Sequence, residues 1–175
     1  MMSKFIIIGL GNIGWCFNKT PHNIGFALVD SIADKYNIEP KFIKKYHGSY
    51  GEKTITVNDV RVSLGIFLPH TMMNSSGIAV KEISKLTKID RILVCTDNWD
   101  LSVGENKIKV SGNSTGHNGI NSINNCLNTT KYSRLRVGTG NTKVLNSMSD
   151  SDIRVCIDSS SAMVEDWLLA KAGRK

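Results

Sequence analysis

The stretch KFIIIGLGNIG, residues 4–14, opens with a short run of apolar residues that is rich in isoleucine. A continuous apolar run of this length is typical of a strand buried on both faces, as in a parallel sheet. We therefore predict a strand at residues 5–9, followed by a loop at residues 10–21. Beyond the loop, apolar residues recur every four positions, which predicts an amphipathic helix over residues 23–36.

The glycines of the same stretch match the pattern G-x-G-x-x-G, which in a dinucleotide-binding fold follows a strand and opens a helix. Here, however, Pro21 comes seven residues after Gly14, where it would interrupt such a helix at a cost of ~3 kcal/mol. An acidic residue to bind the ribose is also missing from a strand end, because Asp30 lies inside the predicted helix. A nucleotide-dependent oxidoreductase is therefore a disfavoured alternative.

Strands and helices alternate along the rest of the chain, with one hairpin at Asn58 and Asp59. The further predicted strands are residues 54–57, 60–64, 91–96, 107–110 and 134–137. The further predicted helices are residues 75–87, 119–127 and 161–172. In the strands 107–110 and 134–137, basic and apolar residues alternate, which places the cations of each strand on one face. We predict an α/β fold for residues 1–175, a single domain with a mixed twisted sheet and helices on both faces.

The chain has 175 residues, of which 41% are hydrophobic and 21% are charged, a balance typical of a soluble globular domain. The longest apolar run, residues 5–10, is far shorter than the ~18 residues that a membrane span requires. Glycines and Asn12 follow it directly, and no small-x-small cleavage site comes after them. We therefore expect no membrane partner and no secretory signal.

The formal net charge is +7, and the excess of positive charge is concentrated in residues 106–149, which contain six basic residues and no acidic ones. The basic residues are Lys107, Lys109, Lys131, Arg134, Arg136 and Lys143. Such a patch attracts phosphate and favours a nucleic-acid partner. A basic face that only aids solubility is the alternative.

The cysteines and histidines do not have the spacing of a metal site, because neither C-x-x-C nor H-x-x-x-H occurs. The cysteines are Cys16, Cys95, Cys126 and Cys156, and the histidines are His22, His47, His70 and His117. We therefore predict a reduced cytoplasmic protein with no metal and no cofactor.

Polar residues gather where predicted strands end or predicted helices begin, which is where α/β proteins place their sites. These residues are Asn12, His22, Asn23, Asn74, Asp97, His117 and Asn118. A histidine with a carboxylate can act as a base and its orienting group, and amides can donate hydrogen bonds to a carbonyl oxygen or an oxyanion. A single asparagine at such a place usually only caps a helix or turn, so capping is the alternative.

Six segments occur in an order and spacing that resemble bacterial-type peptidyl-tRNA hydrolase, over roughly residues 4–140. They are Gly9-Leu-Gly-Asn-Ile-Gly14, Pro21-His-Asn-Ile-Gly25, Thr71-Met-Met-Asn-Ser-Ser-Gly77, Asp97-Asn-Trp-Asp-Leu101, Gly116-His-Asn-Gly119 and Arg134-Leu-Arg-Val-Gly138. The resemblance implies cleavage of the ester that joins a peptide to the terminal ribose of tRNA.

The resemblance also implies roles for individual residues. His22 matches the catalytic base and Asp97 the carboxylate that orients it, while Asn12, Asn74 and Asn118 match the amides that hold the substrate and the attacking water. Phe17, Met73 and His117 match further substrate-binding positions. Lys107, Lys109 and Arg136 match basic positions near the tRNA-binding face. A monomeric cytoplasmic enzyme is expected, and a catalytically idle relative that binds RNA or a protein partner is the alternative.

This chain also departs from the family at several positions. Ile13 stands where proline is usual, Pro21 where arginine is usual, Asn98 where an acid is usual and Phe17 where tyrosine is frequent. After Gly140 the usual His-Pro is absent, and the apolar stretch at residues 143–145 is contracted. We expect these changes to affect substrate affinity and the closing of the C-terminal segment over the cleft more than the chemistry.

Overall fold

A mixed β-sheet forms the centre of the chain in the computed structural model, which describes residues 1–141 and 145–173. Within these residues the strands are β1 (Lys4–Gly9), β2 (Lys41–Ile43), β3 (Gly48–Val57), β4 (Val60–Pro69), β5 (Ile92–Asn98), β6 (Asn106–Lys109) and β7 (Ser133–Gly138). Their order across the sheet is β2-β3-β4-β1-β5-β7-β6. The pairs β4/β1, β1/β5 and β5/β7 are parallel, and the other pairs are antiparallel.

Helices cover both faces of the sheet, as the sequence predicts. They are α1 (Ile24–Lys35), α2 (Ser76–Ser84), α3 (Asn118–Leu127) and α4 (Asp150–Ala172). Phe5 and Ile7 of β1 join the core formed with α1 and α4, whereas Ile6 and Ile8 join the core formed with α2 and α3. Because successive strand residues point to opposite faces, β1 requires apolar residues throughout. The predicted α/β class is confirmed.

The structure differs from the prediction at the hairpin, at one edge strand and at the last helix. The hairpin turn at Asn58 and Asp59 is present, with φ of 49° and 62°, but its strands extend to residues 48–57 and 60–69. The edge strand β2 was not predicted, and α4 begins at residue 150 instead of 161. β2 has only three residues and none of them is buried, while the first half of α4 contains many exposed polar residues, so no apolar pattern long enough to be recognised marks either element. The predicted contraction at residues 143–145 falls partly on residues 143 and 144, outside the described residues.

Glycines bring the start of α1 against the ends of β1 and β5. A Cβ atom at Gly25 would lie 2.5 Å from the carbonyl oxygen of Cys95 and 2.7 Å from that of Leu10. A Cβ at Gly11 would lie 2.6 Å from the ring of Phe26. The glycine-rich stretch therefore serves the packing of α1 on the sheet, and α1 begins only after a 3₁₀ turn at Pro21–Asn23, where proline fits the first position.

None of the helices in the described ranges, 1–141 and 145–173, is both long enough and apolar enough to cross a membrane.

Candidate active site

Asp97, at the carboxyl end of β5, joins two histidines from different elements. Its Oδ1 lies 2.9 Å from Nδ1 of His22, just before α1, and 2.8 Å from Nε2 of His117, just before α3. The side chain of Asp97 is 3% exposed, and those of His22 and His117 are 11% and 13% exposed. The close approach of α1 to β5 thus brings together a carboxylate and an imidazole that are 75 residues apart.

The two histidines keep this buried carboxylate ionised. Burial opposes ionisation, but the hydrogen bonds from His117 and His22 outweigh it and hold the pKa of Asp97 well below its usual range. An ionised carboxylate can only accept hydrogen bonds, so each imidazole donates its N–H to Asp97.

The hydrogen bonds of His117 also determine which of its nitrogens carries the proton. Its Nδ1 caps α3 by accepting from the backbone N–H of Gly119 at 3.1 Å and of Ile120 at 3.3 Å. The ring hydrogen is therefore on Nε2, facing Asp97. The sequence placed His117 among the substrate-binding residues and did not predict its links to α3 and Asp97, because a histidine cap is recognised only from geometry.

His22 is left with one free nitrogen. Its Nδ1 donates to Asp97, so its Nε2 carries a lone pair. His22 also lines the cavity beside Asp97, where a water molecule can reach that nitrogen. This arrangement suits general-base chemistry.

Asn12 and Asn23 tie together the segments around His22. Asn23 accepts from the backbone N–H of Asn12 at 2.7 Å and donates to its carbonyl oxygen at 2.8 Å. The side-chain oxygen of Asn12 accepts from the backbone N–H of Met73 at 2.7 Å. The sequence assigned no separate role to Asn23, because an asparagine at a helix start usually caps it; here its side chain makes no cap and holds the loop after β1.

A cavity of about 450 Å³ opens beside the histidines. The predicted site residues that line it are His22, Asp97, Lys109, His117, Asn118 and Arg136. The predicted site residues outside its lining are Asn12, Phe17, Met73, Asn74 and Lys107.

The residues outside the lining have different surroundings. Met73 is buried, and its sulfur lies behind Gly119, where an added Cβ would be 2.5 Å from it and 3.1 Å from Cε1 of His117. Asn74 is exposed in a 3₁₀ turn, and Phe17 is half-buried in another. Lys107 is exposed on β6, directly opposite Arg136 of β7.

The cations of β6 and β7 share one face, since Lys107 pairs with Arg136 and Lys109 pairs with Arg134. Arg134 is only 3% exposed, and its guanidinium donates to the carbonyl oxygens of Gly112, Asn113 and Thr130. Arg134 thus holds the loop that leads to His117. Lys109 and Arg136 line the cavity and can face an anionic ligand.

His22, Asp97 and His117 are residue types that also bind metals, and their ligand atoms lie within 4.8 Å of one another. In the structure the imidazoles bond directly to one carboxylate oxygen, and the second nitrogen of His117 caps α3. This arrangement is that of a hydrogen-bond chain. An enzyme without metal stays a prediction.

Comparisons with known proteins agree on one family. A family model described as peptidyl-tRNA hydrolase matches residues 6–172. A peptidyl-tRNA hydrolase from Clostridium botulinum is 42% identical over 138 residues, which cover 78% of this chain and 70% of the relative. A peptidyl-tRNA hydrolase from Prochlorococcus marinus is 41% identical over 141 residues, which cover 79% of this chain and 68% of the relative.

Solved structures show the same likeness. A mutant of the peptidyl-tRNA hydrolase from Acinetobacter baumannii superimposes with a TM-score of 0.82 at 32% identity, over 98% of this chain and 94% of that one. Another structure of the enzyme from that organism gives a TM-score of 0.78 at 28% identity, over 97% of each chain.

Proposed function

The chain belongs to the peptidyl-tRNA hydrolase family, and on that premise we propose how its own residues hydrolyse the ester of peptidyl-tRNA. In this reaction the oxygen of water forms a bond to the ester carbonyl carbon, and the bond from that carbon to the ribose oxygen breaks. The products are a peptide with a free carboxyl group and a tRNA with a free terminal hydroxyl.

His22 acts as the general base. Its Nε2 takes a proton from the attacking water while Asp97, through Nδ1, fixes the orientation of the ring and stabilises the imidazolium that forms. His22 then returns the proton to the ribose oxygen as the tetrahedral intermediate collapses. The observation that carries this proposal is the pair of hydrogen bonds at 2.8 Å and 2.9 Å on one buried carboxylate oxygen, beside an open cavity.

Side-chain amides supply the neutral donors. Asn118 lines the cavity at the first residue of α3, where its amide can bind the attacking water or the developing oxyanion. The side-chain oxygen of Asn12 accepts from Met73, so its amide N–H groups are the part of the side chain that can donate to the substrate, and Asn74 is exposed on the turn that Asn12 holds. One oxyanion donor contributes about 10²–10³-fold to the rate, and amides avoid placing extra negative charge near tRNA phosphates.

The tRNA lies against the basic face of β6 and β7. Lys109 and Arg136 line the cavity, and Lys107 lies on the same face. These three cations contact the phosphates next to the ester. Phe17 and Met73 belong to the turns beside the substrate. The enzyme acts in the cytoplasm as a monomer that requires no metal.

Replacement of the base tests the proposal. His22→Ala is expected to lower kcat for release of peptide from peptidyl-tRNA by ~10²–10⁴-fold and to leave tRNA affinity nearly unchanged. His70→Ala is the matched control, because His70 is exposed and contacts Phe42 and Ser49, away from Asp97. Activity of His22→Ala within tenfold of the parent would contradict the assignment, and a parent protein that binds tRNA without cleaving it would be an idle relative.

A further inference from the structure

Trp99 is a large aromatic side chain that is exposed at the edge of the active-site cavity. It is 57% exposed and lines the same cavity as His22 and Asp97. Tryptophan buries more apolar area than most side chains, so an indole left in water beside a catalytic site has a surface available for a ligand.

The backbone that carries Trp99 is firmly held. The side-chain oxygen of Asn98 accepts from the backbone N–H of Asp100 at 2.8 Å, and its carbonyl oxygen accepts from Thr139 at 3.1 Å. The carbonyl oxygen of Leu101, a buried residue, accepts from Gly140 at 2.9 Å. Three hydrogen bonds therefore fix the residues on either side of Trp99, so the backbone that carries the indole is held in place.

The charges around Trp99 indicate what its ring binds. Lys109 and Arg136 line the same cavity as Trp99, so one cavity offers a ligand both an aromatic side chain and two cations. A base stacks on an aromatic ring while its phosphate needs a cation, and this combination is the usual way of binding single-stranded nucleic acid. An apolar side chain of the peptide would use the indole but not the cations.

We propose that Trp99 is the stacking platform for an unpaired base of the single-stranded 3′ end of the tRNA. The inference rests on the proposed function and adds a base-binding subsite to it. Trp99 binds the substrate through its base and does not touch the reacting ester, so its contribution is expected in KM.

Kinetics of three variants test the stacking. Trp99→Leu keeps an apolar side chain but loses the aromatic face, and it is expected to raise KM for peptidyl-tRNA roughly tenfold with kcat unchanged. Trp99→Phe keeps a smaller aromatic ring that stacks more weakly, and its KM is expected to stay within about threefold of the parent value. Phe42→Leu is the matched control, because Phe42 is an aromatic residue that is 59% exposed on the edge strand β2 and does not line the cavity. Equal losses in Trp99→Leu and Trp99→Phe, or no loss in Trp99→Leu, would overturn the proposal.

Tryptophan fluorescence identifies the occupant without any turnover. Deacylated tRNA is expected to quench the emission of the parent and of Trp15→Phe, but to quench that of Trp99→Phe much less. The same tRNA with its unpaired 3′ end removed keeps the duplex phosphates and is expected to leave Trp99 unquenched. Quenching by an N-acetyl amino acid amide alone, or equal quenching by the truncated tRNA, would overturn the proposal.

The two proposals fail separately. A parent protein that does not release peptide from peptidyl-tRNA contradicts the proposed function, whatever the fluorescence shows. A parent that hydrolyses peptidyl-tRNA with an unchanged KM in Trp99→Leu contradicts only the role of Trp99.

Discussion

His117 links the candidate catalytic cluster to the start of a helix. One of its nitrogens caps α3 and the other donates to Asp97. These hydrogen bonds fix the same orientation of the imidazole, because a rotation of the ring that broke the bond to Asp97 would also break the cap of α3. The orientation of Asp97, and through it that of His22, is therefore tied to the folding of α3.

The two roles of His117 can be separated by substitution. His117→Ala removes both the cap and the donor, and is expected to lower the free energy of unfolding by ~1 kcal/mol. His117→Asn restores a good capping residue but is too short to reach Asp97, so stability should recover. Both variants are expected to lose roughly tenfold in kcat, because one charge-assisted hydrogen bond to Asp97 is gone. Urea unfolding and peptide release measure the two effects, and full activity in His117→Asn would contradict the positioning role.

The lowered pKa of Asp97 makes the stability of the fold depend on pH. The unfolded carboxyl has a pKa of ~3.9, and the folded one is lower, so the ionised form stabilises the fold above ~3.9. That contribution is lost as the pH falls through the folded value. The free energy of unfolding, measured in urea, should therefore fall more steeply below about pH 4 for the parent than for Asp97→Asn. Glu52, whose pKa is lowered by Lys4, titrates in both proteins and contributes to both curves alike. Parallel curves for the parent and Asp97→Asn would therefore contradict a contribution of Asp97 to stability.

The sequence predicted where the candidate site residues lie in the fold, but not how they connect. His22, Asp97 and the asparagines follow from their places at strand ends and from the resemblance. The cap made by His117 and the bond from Asn12 to Met73 depend on ring orientation and loop path, which no spacing encodes. Arg134 and Arg136 occupy equivalent positions in the alternating pattern of their strand. The guanidinium of Arg134 nevertheless donates its hydrogen bonds to backbone carbonyl oxygens of a neighbouring loop.

Among the elements, β6 presents its lysines to solvent on the face shared with Arg136. Neutralising Lys107 and Lys109 together to glutamine should reduce the slope of log affinity for tRNA against log salt by about two on a duplex, since each phosphate contact releases counterions. Turnover of a minimal peptidyl-nucleotide ester should barely change, because that substrate lacks the distant phosphates. Binding across a salt series measures the slope.

A matched double variant gives the control for β6. Lys85→Gln with Lys88→Gln removes the same charge near Thr87, whose hydroxyl bonds to Lys4 at the start of β1, at the end of the sheet away from Asp97. This variant should keep the parent slope. Equal slopes in the parent and in the Lys107 and Lys109 variant would show a basic face that only aids solubility.

The approach of α1 to the sheet is the element contact on which the site depends. Gly25→Ala places a methyl group 2.5 Å from the carbonyl oxygen of Cys95, so α1 must move away from β5. We expect a loss of ~1–3 kcal/mol of stability and a large loss of kcat, since His22 moves with α1. Gly173→Ala, with its nearest contact at 3.4 Å, should change neither thermal unfolding nor peptide release. Parent activity in Gly25→Ala would contradict this account of the site.

Elements with a strong apolar pattern were predictable, and those held by tertiary packing were not. β1, α1 and β5 are buried in regular patterns and lie close to their predicted bounds. β2 owes its place to pairing with β3, and the start of α4 owes its place to the cap by Ser149 with Asp150 and Asp152 in the first turn. Capping residues indicate where a helix can begin, but they do not show that the polar residues that follow will form a helix.

Across the whole molecule, both edge strands of the sheet are short and carry exposed lysines. The edge strand β2 has three residues and β6 has four, and both carry exposed lysines, Lys41 on one and Lys107 and Lys109 on the other. Short, charged edges prevent pairing with another copy. Helices of the same chain pack on both faces of the sheet, where they form the two apolar cores.

The state of the protein in solution follows from these edges and from its charge. With a net charge of +7, two copies repel each other at moderate salt. We expect sedimentation and light scattering to give a mass near 19.3 kDa over a wide range of concentrations, and one protein for each bound tRNA. A mass that doubles as the concentration rises, and that falls when salt is removed, would show that apolar contacts between copies outweigh the charged edges.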